Sequence, residues 1–418
     1  MGYVTVSCRT RVEGPYLKRD GRTQGQTQWA KRFRERAVPL AKKTQYHPTK
    51  APASKLRLLI ITFDPPQNVG GVEGRAVGYV RQLSKTKNFV EIASFSPDSK
   101  PSVEPFLGTS RIHRLASNIT SLPSALGSIV GTVRSKQIDT VFFLSGGITL
   151  HGNLLLLYCR LLGIRTAIFL YGKDILQSRG SYPGRLLLAT SQLLANRVAV
   201  NSRFTSTLLG HTRNVQVLYP SVDPSIEGLS PSQASRDTVL FVGRLVERKG
   251  MKDLLDALTL LKDEVPAVKL EVVGNGPERA SLERMTADLG VSGRVTFFGE
   301  LRGKEHYRRY AMCTVFAMPS RTMKDDVEGF GTVFLEAGLF GKPSVGTMSG
   351  GIPEAVLDGV TGILVKEGDV ASLAKALKTL LQDRELSKKF GNNAKRRVLQ
   401  EFTWERGTDK LAGILGGR

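Results

Sequence analysis

Short apolar runs alternate with helical stretches along most of this chain, in two successive sets. The first set opens at Leu56-Arg-Leu-Leu-Ile-Ile-Thr62 and continues through 89–95, 140–144, 166–170, 198–202 and 215–218. The second opens at Thr238-Val-Leu-Phe-Val-Gly243 and continues through 270–273, 295–298, 314–318 and 343–346. Runs that are apolar on both faces are strands of parallel sheets covered by helices. Helical periodicity is read at 74–84, 153–162, 370–381 and 385–402. This alternation predicts an α/β, doubly wound architecture. At 418 residues the chain exceeds what one core usually supports. A Ser- and Pro-rich stretch parts the two sets. The predicted domains are therefore 55–225 and 238–400, with a linker at 226–237, a basic tail at 1–54 and a last segment at 401–418. Ligands of such sheets bind outside the carboxyl ends of the strands, so the two domains should face one another across a cleft.

One segment of the second set carries two carboxylates in Glu328-Gly-Phe-Gly-Thr-Val-Phe-Leu-Glu336. Glu328 precedes a glycine turn, and Glu336 falls inside the apolar helical run that follows. If the helix begins near Gly331, Glu336 lies about 7 Å along it at 1.5 Å per residue. Between the carboxylates lies a helix N-terminus whose free N–H groups suit a phosphate or diphosphate. One carboxylate can then meet a sugar and the other a ribose. Gly243-Arg-Leu-Val-Glu-Arg-Lys-Gly250 follows the first strand of the same set. Arg244 and Lys249 are fixed cations that can stabilise the charge of a leaving diphosphate without a metal. No Asp-x-Asp motif or His/Cys cluster is visible, and neither a metal nor a cofactor is expected.

The Glu-x7-Glu segment with its Gly-Phe-Gly resembles the signature of the retaining, GT-B-fold glycosyltransferases, especially family 4. The resemblance runs from about residue 56 to 411 and is stronger after 239. It implies two Rossmann-like halves and a C-terminal helix that crosses back to the first, since Phe402-Thr-Trp404 matches the family's Phe-x-Trp. It implies that Arg244 and Lys249 hold the donor diphosphate beside Gly243, and that Glu336 holds the ribose hydroxyls. Glu328 would hold the donor sugar with the backbone of Phe330, Gly331 and Thr332. Gly274 and Gly276, in Val-Gly-Asn-Gly-Pro, resemble a turn beside the nucleotide. Gly350-Gly-Ile-Pro-Glu354 also follows a family pattern. In the first half, Gly70, Gly71 and Glu73 match the family's glycine loop, with Gly71 on the donor and Glu73 on the acceptor. Ser202 and Arg203 resemble cleft residues near the domain junction.

One position departs from the family. Many members read His-Gly-x-Asp where this chain reads Tyr171-Gly-Lys-Asp174. Tyrosine can donate a hydrogen bond to the donor sugar but does not titrate near neutral pH. A general base is not expected there, whereas same-face attack, with the leaving phosphate taking the acceptor proton, survives the change. Lys173 and Asp174 are then acceptor-side residues, adding charge and orienting a hydroxyl.

The net charge is +23, of which residues 1–54 contribute +9 through twelve Lys/Arg against three Asp/Glu. A basic surface calls for an anionic partner, an anionic membrane face among them. Within the tail, Trp29, Phe33 and Ala37 share one helical face ahead of Pro39, so a basic amphipathic helix and plain disorder are both open readings. Nucleic acid is not expected, because basic and aromatic residues are not interleaved. The leucine-rich run at 154–171 is broken by Arg160 and Arg165 and reads as a buried helix plus a strand. The first residues lack a signal-peptide core, and three scattered cysteines fit a reducing cytoplasm. The expectation is a cytoplasmic, metal-independent retaining glycosyltransferase, peripheral on the inner membrane face. It would use a nucleotide-diphosphate sugar and a glycan or lipid-linked acceptor. Its rivals are a sugar-nucleotide epimerase and a catalytically silent protein of the same fold that binds an anionic surface.

Overall fold

The computed structural model describes residues 56–63, 71–85, 88–96, 102–105, 110–116, 122–210, 214–229 and 237–416. The helix weighed at Trp29 lies outside them. The first half holds strands β1 Arg57–Thr62, β2 Phe89–Ser96, β3 Ser102–Pro105, β4 Arg111–Ala116, β5 Thr140–Phe143, β6 Arg165–Leu170, β7 Arg197–Val200 and β8 Val215–Val217. Its helices are α1 Gly71–Leu83, α2 Leu122–Ser135, α3 Leu150–Leu161, α4 Gly172–Arg179, α5 Tyr182–Leu194 and α6 Arg203–Thr207. The strands order β3-β4-β2-β1-β5-β6-β7-β8, parallel throughout except at β3–β4. Ile60 on β1 stands between Ile92 and Phe142, and all three are fully buried. That is why the run at 56–62 is apolar on successive residues: both faces of β1 are covered.

The second half holds β9 Thr238–Val242, β10 Lys269–Val273, β11 Val295–Gly299, β12 Val315–Met318, β13 Ser344–Thr347 and β14 Gly362–Val365. They order β11-β10-β9-β12-β13-β14, all parallel. Around them lie α7 Met251–Leu261, α8 Arg279–Asp288, α9 Gly303–Met312, α10 Thr332–Leu339, α11 Ile352–Ala355, α12 Val370–Gln382 and α13 Arg384–Glu401. Each sheet reverses its order at its first strand, β1 or β9, which has neighbours on both sides. Such a switch point opens a crevice beyond the strand's carboxyl end. The segment Gly243–Gly250, which follows β9, therefore borders the crevice of the second sheet.

The last helix, α14 Trp404–Gly416, packs on the first sheet, not the second. Leu411, Ile414 and Leu415 join the core of Leu58, Ile60 and Phe169. The Trp404 ring meets Tyr79 edge-on at 5.3 Å. Outgoing and returning chains run side by side where they cross. The Val222 N–H donates to the Phe402 carbonyl at 2.8 Å, and the Trp404 N–H to the Val222 carbonyl at 3.2 Å.

The first half differs from the sequence reading in several features, among them helix α2, which its periodicity does not show. Strand β3, antiparallel at the sheet edge, was not expected, because Ser102-Val-Glu-Pro105 has no apolar run. Helix α3 is not buried all round. It covers one side of the first sheet with Leu155, Leu156 and Cys159 and turns Leu150, Leu154, Leu157 and Leu161 to the surface.

Candidate active site

Beyond β9 the chain turns through Gly243 and a short 3-10 turn, Glu247–Lys249, capped by Gly250 in the left-handed region. The turn is braced from β10, where the Gly243 N–H donates to the Val273 carbonyl at 3.0 Å and the Leu245 N–H to the Asn275 carbonyl at 2.9 Å. A Cβ at Gly274, whose φ is +133°, would sit 2.0 Å from the Gly243 carbonyl oxygen. Only glycine lets the two loops approach so closely. Gly274 and Gly276 thus support the loop that carries Arg244 and Lys249. Arg244 is exposed and has no acidic partner among the described residues. Lys249 lies inward, its stem beside Gly243.

Glu328 and Lys249 meet. The Lys249 ammonium is 2.6 Å from one Glu328 oxygen, and the Arg248 guanidinium is 2.8 Å from the same atom. Arg248 also reaches Asp326 at 3.0 Å. Burial works to raise the Glu328 pKa, but Lys249 and Arg248 overcome it and hold the carboxyl down at about 2. Glu328 is therefore an anion at neutral pH and acts as a hydrogen-bond acceptor only.

Gly331 caps α10 at φ +86°, with no side chain closing the helix start. The first N–H groups of α10, beginning at Thr332, have no intrahelical acceptor and point their positive ends out of the helix. The Phe330 ring faces the core against Tyr219 and Phe402, at 5.3 and 5.7 Å, so only its backbone borders the helix start. One and a half turns on, Glu336 accepts from the Tyr310 hydroxyl at 2.6 Å and lies 3.3 Å from His306 Nε2. Burial first, then the Glu336 charge, pushes the Tyr310 phenol well above its ordinary value. The phenol stays a donor, and both partners meet the same Glu336 oxygen.

The first half contributes the end of β6. Tyr171 precedes α4, and Asp174 turns back to accept its N–H at 3.4 Å, so Asp174 closes a helix start here. Lys173 is exposed. The Tyr171 ring lies 4.8 Å from Phe169 and under the Arg75 guanidinium at 5.3 Å. Gly172 abuts Val327, since a Cβ there would come 3.2 Å from Val327 Cγ1. Likewise a Cβ on Gly329 would come 2.4 Å from Asn201 Nδ2. These contacts carry the Tyr171 loop to the Glu328 segment. Gly71 is the first residue of α1. Gly70 and the Glu73 side chain lie outside the described structure.

Four residues with a part in these contacts are not singled out by the sequence reading: Arg248, His306, Tyr310 and Glu354. Arg248 shares Glu328 with Lys249, although a basic turn gives no sign of which cation turns inward. His306 and Tyr310 hold Glu336 from α9, and their spacing of four residues on one helix is the only trace in the sequence. Buried Glu354 accepts the N–H groups of Arg203 and Phe204, both at 2.8 Å, and the Tyr219 hydroxyl at 2.9 Å. It fastens α6 of the first half to α11 of the second. Ser202 caps α6 through the Thr205 N–H at 2.9 Å.

The chain is similar to known proteins along most of its length. Residues 228–397 match the family described as glycosyl transferases group 1. The GDP-mannose-dependent alpha-(1-6)-phosphatidylinositol monomannoside mannosyltransferase of Mycolicibacterium smegmatis is 30% identical over 391 residues, covering 86% of this chain and 98% of that protein. A GDP-mannose-dependent monoacylated alpha-(1-6)-phosphatidylinositol monomannoside mannosyltransferase of Corynebacterium glutamicum is 26% identical over 388 residues, with 86% and 97% coverage. In fold, the chain is similar to Anabaena HepE, solved with UDP and glucose, at a TM-score of 0.71 and 21% identity over 87% of this chain and 100% of that one. A likeness of that extent places the chain among the group 1 glycosyl transferases: it is a GT-B glycosyltransferase that draws its sugar from a nucleotide-sugar donor.

Proposed function

We propose that the chain is a retaining, metal-independent mannosyltransferase that moves mannose from GDP-mannose to a hydroxyl of a lipid-linked acceptor, at the inner face of a membrane. The donor and acceptor class follow relatives matched along nearly their whole length. The observation that carries the site assignment is the Lys249–Glu328 pair beside the open start of α10. The α10 N–H groups, Arg244 and Lys249 would take the diphosphate, and Glu336 the ribose hydroxyls. Glu328, held ionised, would accept from the hydroxyls of the donor sugar and could not serve as a general acid. As the glycosidic bond breaks, the diphosphate gains charge, which fixed cations stabilise in place of a metal. Its oxygen would take the acceptor proton on the face from which it leaves, keeping the anomeric configuration. The basic tail at 1–54 would add attraction to acidic lipids.

Calorimetric titration with GDP, UDP, ADP and GDP-mannose, in EDTA, tests the reading. Selective binding of the guanine nucleotides, lost in Glu336→Ala, is expected. Proton NMR of the first-formed product should show the α-anomer. No binding by a folded protein, or a β-product, would overturn the assignment.

A further inference from the structure

We propose that the outer face of α3 and α5 is a membrane-docking surface that lies on an anionic bilayer. The exposed large apolar side chains of the described residues are concentrated there. On α3, Leu150, Leu154, Leu157 and Leu161 follow the spacing of a single helical face, and Leu161 is 76% exposed. On α5, Tyr182, Leu186 and Leu193 do the same, at 80%, 55% and 73%. The two helices are tied side by side. Asn153 Nδ2 donates to the Leu187 carbonyl at 3.2 Å, and the Thr190 hydroxyl donates to Asn153 Oδ1 at 2.7 Å. The stripes therefore join into one patch, of the kind that marks an interaction site on a soluble surface.

Charge selects the occupant. Neither helix contains an acidic residue. Arg160, Arg179 and Arg185 are exposed, and Arg160 and Arg185 reach backbone carbonyls of Leu193 and Arg179 at 3.4 and 2.9 Å. Between 150 and 194 the one acid is Asp174, which turns back on its own helix. Leucines with arginines and no carboxylates suit acyl chains beneath anionic headgroups. A second copy suits the face poorly, since a two-fold pair would bring two basic faces together with no carboxylate on either helix. The α3 start follows β5, so the face extends from the cleft end of the sheet. The inference deepens the proposed function, on whose lipid-linked acceptor it rests. Vesicle binding is read without any transfer, and donor binding is read by calorimetry without any lipid, so the two can fail separately.

The full chain is sedimented with vesicles of pure phosphatidylcholine and with an equimolar mixture of phosphatidylcholine and phosphatidylglycerol. Binding to the mixed vesicles is expected, falling at least about tenfold in a Leu157→Glu, Leu161→Glu variant that keeps its melting temperature and nucleotide binding. A second readout does not depend on that variant's folding. An environment-sensitive dye on Leu161→Cys should shift to the blue with mixed vesicles, whereas the same dye on Leu260→Cys, exposed on the second half, should not. Three outcomes overturn the proposal. One is wild-type binding in the glutamate variant with no dye shift, which would assign the attraction to other basic residues. Another is a wild-type chain that ignores both vesicles. The third is a wild-type dimer that the variant splits without vesicle binding, which would make the face a contact between copies.

Discussion

The two carboxylates eight residues apart in one motif have opposite surroundings. Glu328 is held by two cations, Lys249 and Arg248, and kept ionised against burial. Glu336 is held by a buried phenol and an imidazole. The first arrangement sets a charge, and the second sets a direction. On the proposed function, a carboxylate that must stay anionic near a reacting sugar calls for cations. One that must pick out a diol calls for a rigid donor fixing one oxygen so that the other is aimed. The contrast implies that Glu328 variants should fail in turnover and Glu336 variants in binding.

The largest break in that contrast should come from Lys249→Met. If Lys249 both steadies Glu328 and meets the diphosphate, transfer should fall by about 10²–10³-fold. Unfolding stability should also fall, by roughly 3 kcal/mol, because Glu328 stays buried with one cation fewer. Arg244→Met should lose transfer comparably yet keep its stability within about 0.5 kcal/mol, since Arg244 is exposed. Urea unfolding of the two variants separates these roles, and equal stability losses would refute the distinction.

Acid titration isolates the Glu328 charge. Its folded pKa of about 2 lies below the ordinary 4.5. Between those values the unfolded chain binds the extra proton, so the contribution is complete above pH 4.5 and lost as pH falls towards 2. The loss attributable to this group should be about 3 kcal/mol. Glu328→Gln should flatten that part of the profile, and an unchanged acid limb would remove the ion-pair account.

Glu336→Ala should weaken nucleoside diphosphate binding about 10- to 100-fold with little change in the acid profile. Tyr310→Phe should give a smaller loss in the same titration, because His306 remains. The smallest effect is expected at Tyr171. With the leaving phosphate taking the proton, Tyr171→Phe should lower kcat by less than about fivefold, whereas a general base there would be worth about 10²–10⁴-fold. A loss of that second size would overturn same-face attack without a protein base.

Much of the frame was legible in the sequence because parallel strands covered on both faces must be apolar on successive residues, as at Leu58–Ile61 and Val239–Val242. Strand β3 escaped because an edge strand need not follow that rule, and α2 because its glycines and serines blur the helical period. The motif residues were legible one by one, but their pairings were not. Arg244, Arg248 and Lys249 differ little as letters, and only the turn closed by Gly250 sends Lys249 inward and leaves Arg244 outside. Glu354 belongs to a motif read only as a family pattern, and the structure places it in α11. Its partners, Arg203 and Tyr219, come from another part of the chain. The four leucines at 154–157 read as burial because hydropathy does not say which side of a helix finds a sheet, and the structure buries only Leu155 and Leu156.

Val222 and the pair Phe402–Trp404 touch through their backbones where the chain leaves the first sheet and where it comes home. In a cut-and-splice sense the entire second half is therefore an insert with its two joints against each other. Such an insert can be exchanged for that of a relative with little loop-closure penalty at either joint. On the proposed function, a chimera cut at those two places would keep its own first half and inherit the nucleotide preference of its guest.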